Sequence, residues 1–170
     1  SGMSSTQSSF VVWQEMLPGE GDELISPLLK QQYDVLYGSW PKSYDEAVLI
    51  VDENNEVSDL VLYALGLKSA NDMMSAMTQY MTGKQPEQTK VESWSYADIC
   101  KQSFRLILPA DCYQLDPVTK QYKDISTDEL GLKTLYNNAM ELKIVGVVRQ
   151  SDDAVSGMMT GAIGYTNALT

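Results

Sequence analysis

The run Ala47-Val48-Leu49-Ile50-Val51 limits the folds open to this chain more than any other stretch. Five consecutive apolar residues, three of them β-branched, are too short for a typical helix. They also lack the alternation that would leave one face of a strand in water. The segment reads as a fully buried strand, with other elements needed to cover it. Just upstream, Ser43-Tyr-Asp-Glu46 has the form of a helix capping box, but the apolar run that follows argues for a strand instead. "MELKIVGVVRQ", residues 140–150, reads as a second strong strand with one internal glycine.

Shorter signals lie around these two runs. "FVVWQEML", residues 10–17, has the composition of a strand, and Pro18-Gly19 ends it. Ser26 and Pro27 open a helix whose Leu29, Tyr33 and Leu36 share one face and which Gly38 stops. Asn54-Asn55 suits a turn, Ser58 caps the helix after it, and Asp59 favours the positive end of that helix. "LVLYALGL" is apolar nearly all round, as a covered helix would be, and Gly66 ends it. Asn71 is expected to cap a further helix, with Met73, Met77, Tyr80 and Met81 as a core stripe.

Residues 82–90 read as an exposed loop, and Ser95-x-x-Asp98 marks a helical turn. "SFRLILPADCY" follows as a strand bulged by Pro109. Asp116-Pro117 turns the chain so that residues 121–125 return as a hairpin partner. Ser126-Thr-Asp-Glu129 is a capping box, with Leu132, Leu135, Tyr136 and Ala139 on the apolar face of its helix. "GAIGYT" closes the series as a last strand. Strands and short helices interspersed in this way, with a hairpin among them, indicate an α+β fold built on a mixed sheet.

The chain has 170 residues and a net charge of −11. No cationic cluster offers a site for a phosphate backbone, so nucleic acid is not an expected partner. There is no histidine, which removes the commonest general base and metal ligand and excludes self-contained Ser-His-Asp and Cys-His systems. Asp52-x-Asn54-x-Glu56 begins like a calcium loop, but Val57 stands where glycine is needed and Tyr63 where the bidentate glutamate belongs. Gly83-Lys84 has Thr78 in the glycine position of a phosphate loop, and Ser156-Gly157 has Ala154 where the nucleophile elbow needs glycine. No catalytic residue, cofactor site or metal site is assigned. Cys100 and Cys112 either form a disulfide or stay as two thiols. "SGMSSTQSS", residues 1–9, reads as a tag remnant and linker, and the chain as a segment cut from a longer protein.

Three blocks carry a family likeness: "YDVLYGSWPKSYDEAVLIVDENNEVSDLVLYALGL", "SFRLILPADCY" and "LKIVGVVRQSDDAVSGMMTGAIGYTNALT". Together they resemble the extracellular domain of FtsX-like ABC transporter permeases of Gram-positive bacteria, akin to the MacB-like periplasmic core domain. Gly38, Trp40-Pro41, Glu46-Ala-Val-Leu49 and Leu65-Gly-Leu67 carry the first half of the likeness, and Lys143–Val148 with Tyr165 the second. The resemblance implies that residues 10–170 form an extracellular permease domain on the outer face of the cell membrane. Residues 38–170 would be its main lobe and residues 10–37 closing elements of an adjoining lobe, with Trp40-Pro41 turning between them.

The family implies no catalysis by such a domain. It implies transmission of motion driven by a cytoplasmic ATPase that the domain does not touch, through transmembrane helices of the same permease chain. It also implies contact with an exported or extracted peptide, antibiotic or lipoprotein, or with a cell-wall partner. Tyr37 and Trp40 are the candidate partner-binding aromatics. The alternative is a secreted or lipid-anchored module that binds a peptide or glycan. A hydrolase with paired carboxylates is the third and weakest reading.

Overall fold

The computed structural model describes residues 12–83, 92–107, 109–155, 157–159 and 162–169, and only the backbone at 60, 70, 73, 76, 77, 80 and 109. In chain order the elements are β1 (Trp13–Met16), α1 (Pro27–Gln32), β2 (Tyr33–Gly38), β3 (Glu46–Val51), α2 (Asp59–Ala64) and α3 (Ala70–Met81). They continue with α4 (Tyr96–Ile99), β4 (Ser103–Leu106), β5 (Tyr113–Leu115), β6 (Tyr122–Asp124), α5 (Glu129–Asn138), β7 (Met140–Gln150) and β8 (Ile163–Thr166). Single 3-10 turns occupy Pro109–Cys112 and Asn167–Leu169.

The two apolar runs lie side by side. β3 runs parallel to β7, with Glu46 opposite Lys143 and Val51 opposite Arg149. β8 flanks β3 antiparallel, and β1 extends the sheet parallel to β8. On the other side of β7, β2 pairs antiparallel with its C-terminal half and β4 with its N-terminal half. The result is a six-stranded mixed sheet of order β1-β8-β3-β7-β2, with β4 also on β7, so the fold is α+β. β5 and β6 form a separate two-stranded hairpin.

The unbroken apolar character of β3 follows from its position. Ala47, Leu49 and Val51 join one buried cluster with Val61 and Leu65 beside α2, Ile99 of α4, and Leu142, Ile144 and Val147 of β7. Val48 faces a second cluster with Met16, Ile25, Leu29, Tyr33, Val148 and Met159. Both faces of the central strand are therefore covered, as the absence of polar alternation requires. A register shift opposite Ala47/Val48 passes over Val145, which puts Val147 in the first cluster and Val148 in the second.

Two glycines let β2 leave the sheet. Gly38 has φ +71° and pairs with Gly146. A Cβ on Gly38 would overlap the Val145 carbonyl, and one on Gly146 would overlap the Ser39 carbonyl. The close crossing is held by the Ser39 N–H, which donates to the Val145 carbonyl at 3.1 Å.

Several local expectations hold. The Ser26 hydroxyl accepts from Leu28 N–H with Pro27 at the first turn, and Ser95 accepts from Asp98 N–H. Asn55 sits at φ +63° in its turn, and β5 and β6 form the expected hairpin. Others are corrected. The helix after Ser26 ends at Gln32, and Tyr33–Gly38 is a strand. Tyr33, Val35 and Tyr37 alternate in a β-forming composition, and β7 supplies a ladder that outweighs the helical spacing of Leu29, Tyr33 and Leu36. α3 begins at Ala70, before Asn71, and Ser69 and Asp72 form the reciprocal cap, at 2.7 Å from hydroxyl to carboxylate. The cap of α5 is Asp128, which accepts from Gly131 N–H at 2.7 Å, while Ser126 bonds to Asp124 instead.

Strand β4 stops at Leu106, and Pro109 opens a 3-10 turn because proline has no N–H to continue a ladder. Only Leu135 of the expected α5 face is buried; Leu132 and Tyr136 are exposed. Met81 is exposed as well, and the side chains of Met73, Met77 and Tyr80 lie outside the described residues. So do Phe10, Val11, residues 84–90, Ser156 and Gly161.

Candidate functional site

The loop from Asp52 to Ser58 leaves the C-terminal end of β3 between two concave regions, and its geometry is set by one carboxylate. Asp52 Oδ1 accepts from the backbone N–H of Asn54 at 2.9 Å and of Glu56 at 2.8 Å. Asp52 N–H donates to the Glu56 carbonyl, and Asn55 N–H to the Asp52 carbonyl. Arg149, at the end of β7, donates to Asn55 Oδ1 at 2.9 Å and ties the loop to the neighbouring strand. The acid–amide pattern that begins like a calcium loop thus closes a turn. Among the described residues, no group of three or more His, Cys, Asp or Glu side chains is arranged to hold a metal ion.

On the α2 side of this loop lies a cleft of about 440 Å³. Leu49, Val51 and Ile99 form its apolar floor, and Asn55, Glu56, Asp59, Lys68 and Glu92 supply polar groups. Trp94 and Tyr96 line it as well, both half-buried against the first cluster. Lys68 Nζ is 2.9 Å from Asp59 Oδ1, and this bond raises the lysine pKa, so the cation is neutralised within the wall. A concave apolar floor with a few polar groups and aromatic walls is the usual form of a small binding site.

On the opposite side of the loop, Tyr33, Asp52, Glu56, Gln150, Ser151 and Asp152 are among the residues around a wider crevice of about 690 Å³. It lies at the carboxyl ends of the parallel strands β3 and β7. Tyr33 fastens its floor: the phenol oxygen accepts from Met159 N–H at 2.9 Å. Ser58 also borders the crevice, and its buried hydroxyl has no hydrogen-bond partner, although it occupies the cap position of α2.

The two aromatics singled out from the sequence serve different parts of the molecule. Tyr37 is exposed on β2, and its ring meets Tyr96 with centroids 6.4 Å apart. Tyr96 lines the 440 Å³ cleft, and Tyr37 touches Tyr96 from outside that lining. Trp40 packs against the second cluster, with Pro41 buried beside it in sequence. Reading the sequence missed Trp94 and Tyr96, because only the pairing of α4 with the first cluster brings them beside the Asp52–Ser58 loop. Their one local signal is the Ser95-x-x-Asp98 cap, which orients the turn between them.

Among the described residues, every carboxylate with a shifted pKa is shifted down. A hydroxyl hydrogen bond is the main cause at Asp45 (from Ser43), Asp98 (from Ser95) and Asp124 (from Ser126). At Asp116 it is the backbone N–H groups of Thr119 and Val118. These groups are held as anions by turns and caps. Burial pushes the Cys100 thiol up, away from the nucleophilic thiolate, and no disulfide joins it to Cys112.

No protein-family model, no curated protein and no solved structure matches the chain. Among the described residues, no helix is long and apolar enough to cross a membrane.

Proposed function

We propose that the chain is a non-catalytic extracellular domain of an ABC-type permease, which transmits ATP-driven motion and contacts an exported or extracted substrate or a partner protein. The support is that the first and third of its family-like blocks, far apart in sequence, interlock in space. Gly38 pairs with Gly146, Glu46 with Lys143, and Ala47 with Tyr165. Leu65 shares a buried cluster with Ala47 and Ile144, and Leu67 packs against it. Of the residues that carry the likeness, Ala47–Leu49 and Ile144–Val148 thus lie at the centre of one sheet, with Leu65 and Leu67 packed on one of its faces and Trp40 on the other. Such a body moves as a unit when its attachment points are displaced, because close-packed interiors transmit strain.

The partners on this reading are the rest of the permease chain, with transmembrane helices flanking the domain, and a cytoplasmic ATPase. An antibody against the domain, applied to intact protoplasts of the source cell, tests it. The expected result is a membrane-fraction band that external protease trims. A band found only in the soluble or secreted fraction refutes it.

A second reading, a secreted or lipid-anchored peptide- or glycan-binding module, is favoured by one observation, the cleft lined by Trp94 and Tyr96. It predicts saturable quenching of tryptophan fluorescence by short peptides or oligosaccharides, abolished by Trp94→Ala.

A further inference from the structure

The β5–β6 hairpin turns an apolar face to solvent. Tyr113, Leu115 and Tyr122 lie on that face, since Leu115 pairs with Tyr122 and Tyr113 is two residues from Leu115. They are 55%, 47% and 73% exposed, and Val118 at the tip is 87% exposed. An isolated two-stranded hairpin is marginal in water, whereas three or more strands with an apolar face are stable.

The ladder also shows which backbone groups are open. Ile125 N–H donates to the Cys112 carbonyl and Asp116 N–H to the Gln121 carbonyl. Bonded pairs alternate along an antiparallel ladder. They therefore fall at positions 112, 114 and 116, and the N–H and C=O of Tyr113 and Leu115 point away from β6. Among the described residues, no backbone bond from outside the hairpin reaches Tyr113 or Leu115. Tyr113 and Gln114 share a crevice of about 380 Å³ with Leu135 and Asn138 of α5.

We propose that β5 is a self-association edge, pairing antiparallel with β5 of a second copy of this chain about a two-fold axis at Gln114. The proposal concerns a surface that the permease reading does not use. With the axis at Gln114, Tyr113 lies opposite Leu115 of the copy, and their outward N–H and C=O groups complete two bonded pairs. The result is a four-stranded sheet with one continuous apolar band. Gln114 faces Gln114, an uncharged pair that can hydrogen-bond. The same operation on β6 would set Lys123 against Lys123, which is unfavourable. Charge permits the same partner, although Asp111 just before β5 adds one negative charge. A two-fold contact must tolerate its own copy, and Tyr113–Asp124 balances Asp116 and Asp124 against Lys120 and Lys123 in a chain of net −11.

Sedimentation and light scattering on the whole chain, from micromolar to submillimolar concentration, test this. A reversible dimer is expected, strengthened by added salt as the acidic bodies are screened from each other. Gln114→Lys is expected to weaken it roughly tenfold or more, and Lys123→Gln to leave it intact, both with unchanged monomer melting. In a background lacking Cys100 and Cys112, Gln114→Cys is expected to cross-link under mild oxidation and Lys123→Cys not. The Cα atoms of a directly opposed, non-bonded strand pair lie about 4.5 Å apart, within disulfide reach. A monomer at every concentration, a dimer indifferent to Gln114→Lys, or cross-linking at Lys123 overturns the proposal. So does a hairpin that binds neutral lipid vesicles while the protein stays monomeric.

Discussion

The sheet around β3 and the segment from Tyr113 to Asn138 use similar residues to opposite ends. In the first, Ala47, Val48 and Leu49 have no exposed surface, because neighbouring strands flank β3 and helices or loops cover both faces. In the second, Leu115, Val118, Tyr122, Leu130 and Tyr136 stay open to solvent. Gly131 of α5 lies against the Ile125 carbonyl at the end of the hairpin, and Arg105 of β4 sits 5.3 Å over the Tyr136 ring. Hydrophobic composition does not itself make a core. Burial depends on whether the topology delivers a second layer.

The contrast is sharpest where truncation should matter most. Leu49→Ala should cost about 3 kcal/mol, as expected for a buried leucine, whereas Val118→Ala should stay within about 0.5 kcal/mol, both read from urea midpoints. Equal losses at the two sites would break the distinction. Gly146→Ala should cost about 2 kcal/mol, because its Cβ meets the Ser39 carbonyl backbone rather than a yielding side chain. Native-state hydrogen exchange should order the same regions, with the amides of β3 and β7 slowest and those of β5 and β6 fast.

Smaller effects separate caps that bond from one that does not. Ser26→Ala should cost about 1 kcal/mol, since its buried hydroxyl accepts from Leu28 N–H. Ser58→Ala should change stability by less than about 0.5 kcal/mol or raise it, because that hydroxyl is buried without a partner. The smallest effect concerns acid. Asp45, Asp98, Asp116 and Asp124 have pKa values below the ordinary aspartate value in the fold. Below about pH 4, the unfolded chain takes up protons at these groups before the folded one does. Their contribution is complete above that pH and fades as pH falls through the folded values. Melting temperatures from pH 7 down to 2.5 check this, and a fall beginning above pH 5 would point to other groups.

The segments legible in the sequence were those whose neighbours in the chain already decide them. The unbroken β-branched run of β3, the long strand β7, the Asn55 turn, the Ser26 and Ser95 caps and the Asp116-Pro117 hairpin all rest on local sterics or local hydrogen bonds. Ser69-x-x-Asp72 rests on the same kind of local bond, and it outcompetes Asn71 as the cap of α3. Tyr33–Gly38 was not legible in the same way, because its helical spacing and its β-forming composition were both present. The cleft was the least legible, since Leu49, Asn55, Lys68 and Trp94 come from separate segments.

By itself, the sequence determined that an α+β chain would place two apolar strands at its centre, with no histidine to do chemistry there. Only the tertiary structure decided that β3 and β7 lie parallel and adjacent, and that Tyr33–Gly38 extends as a strand. It also decided that Trp94 and Tyr96 wall a cleft, while the apolar residues of the hairpin stay exposed. Those outcomes depend on long-range pairing and on which surfaces meet a second layer, and local propensity carries neither.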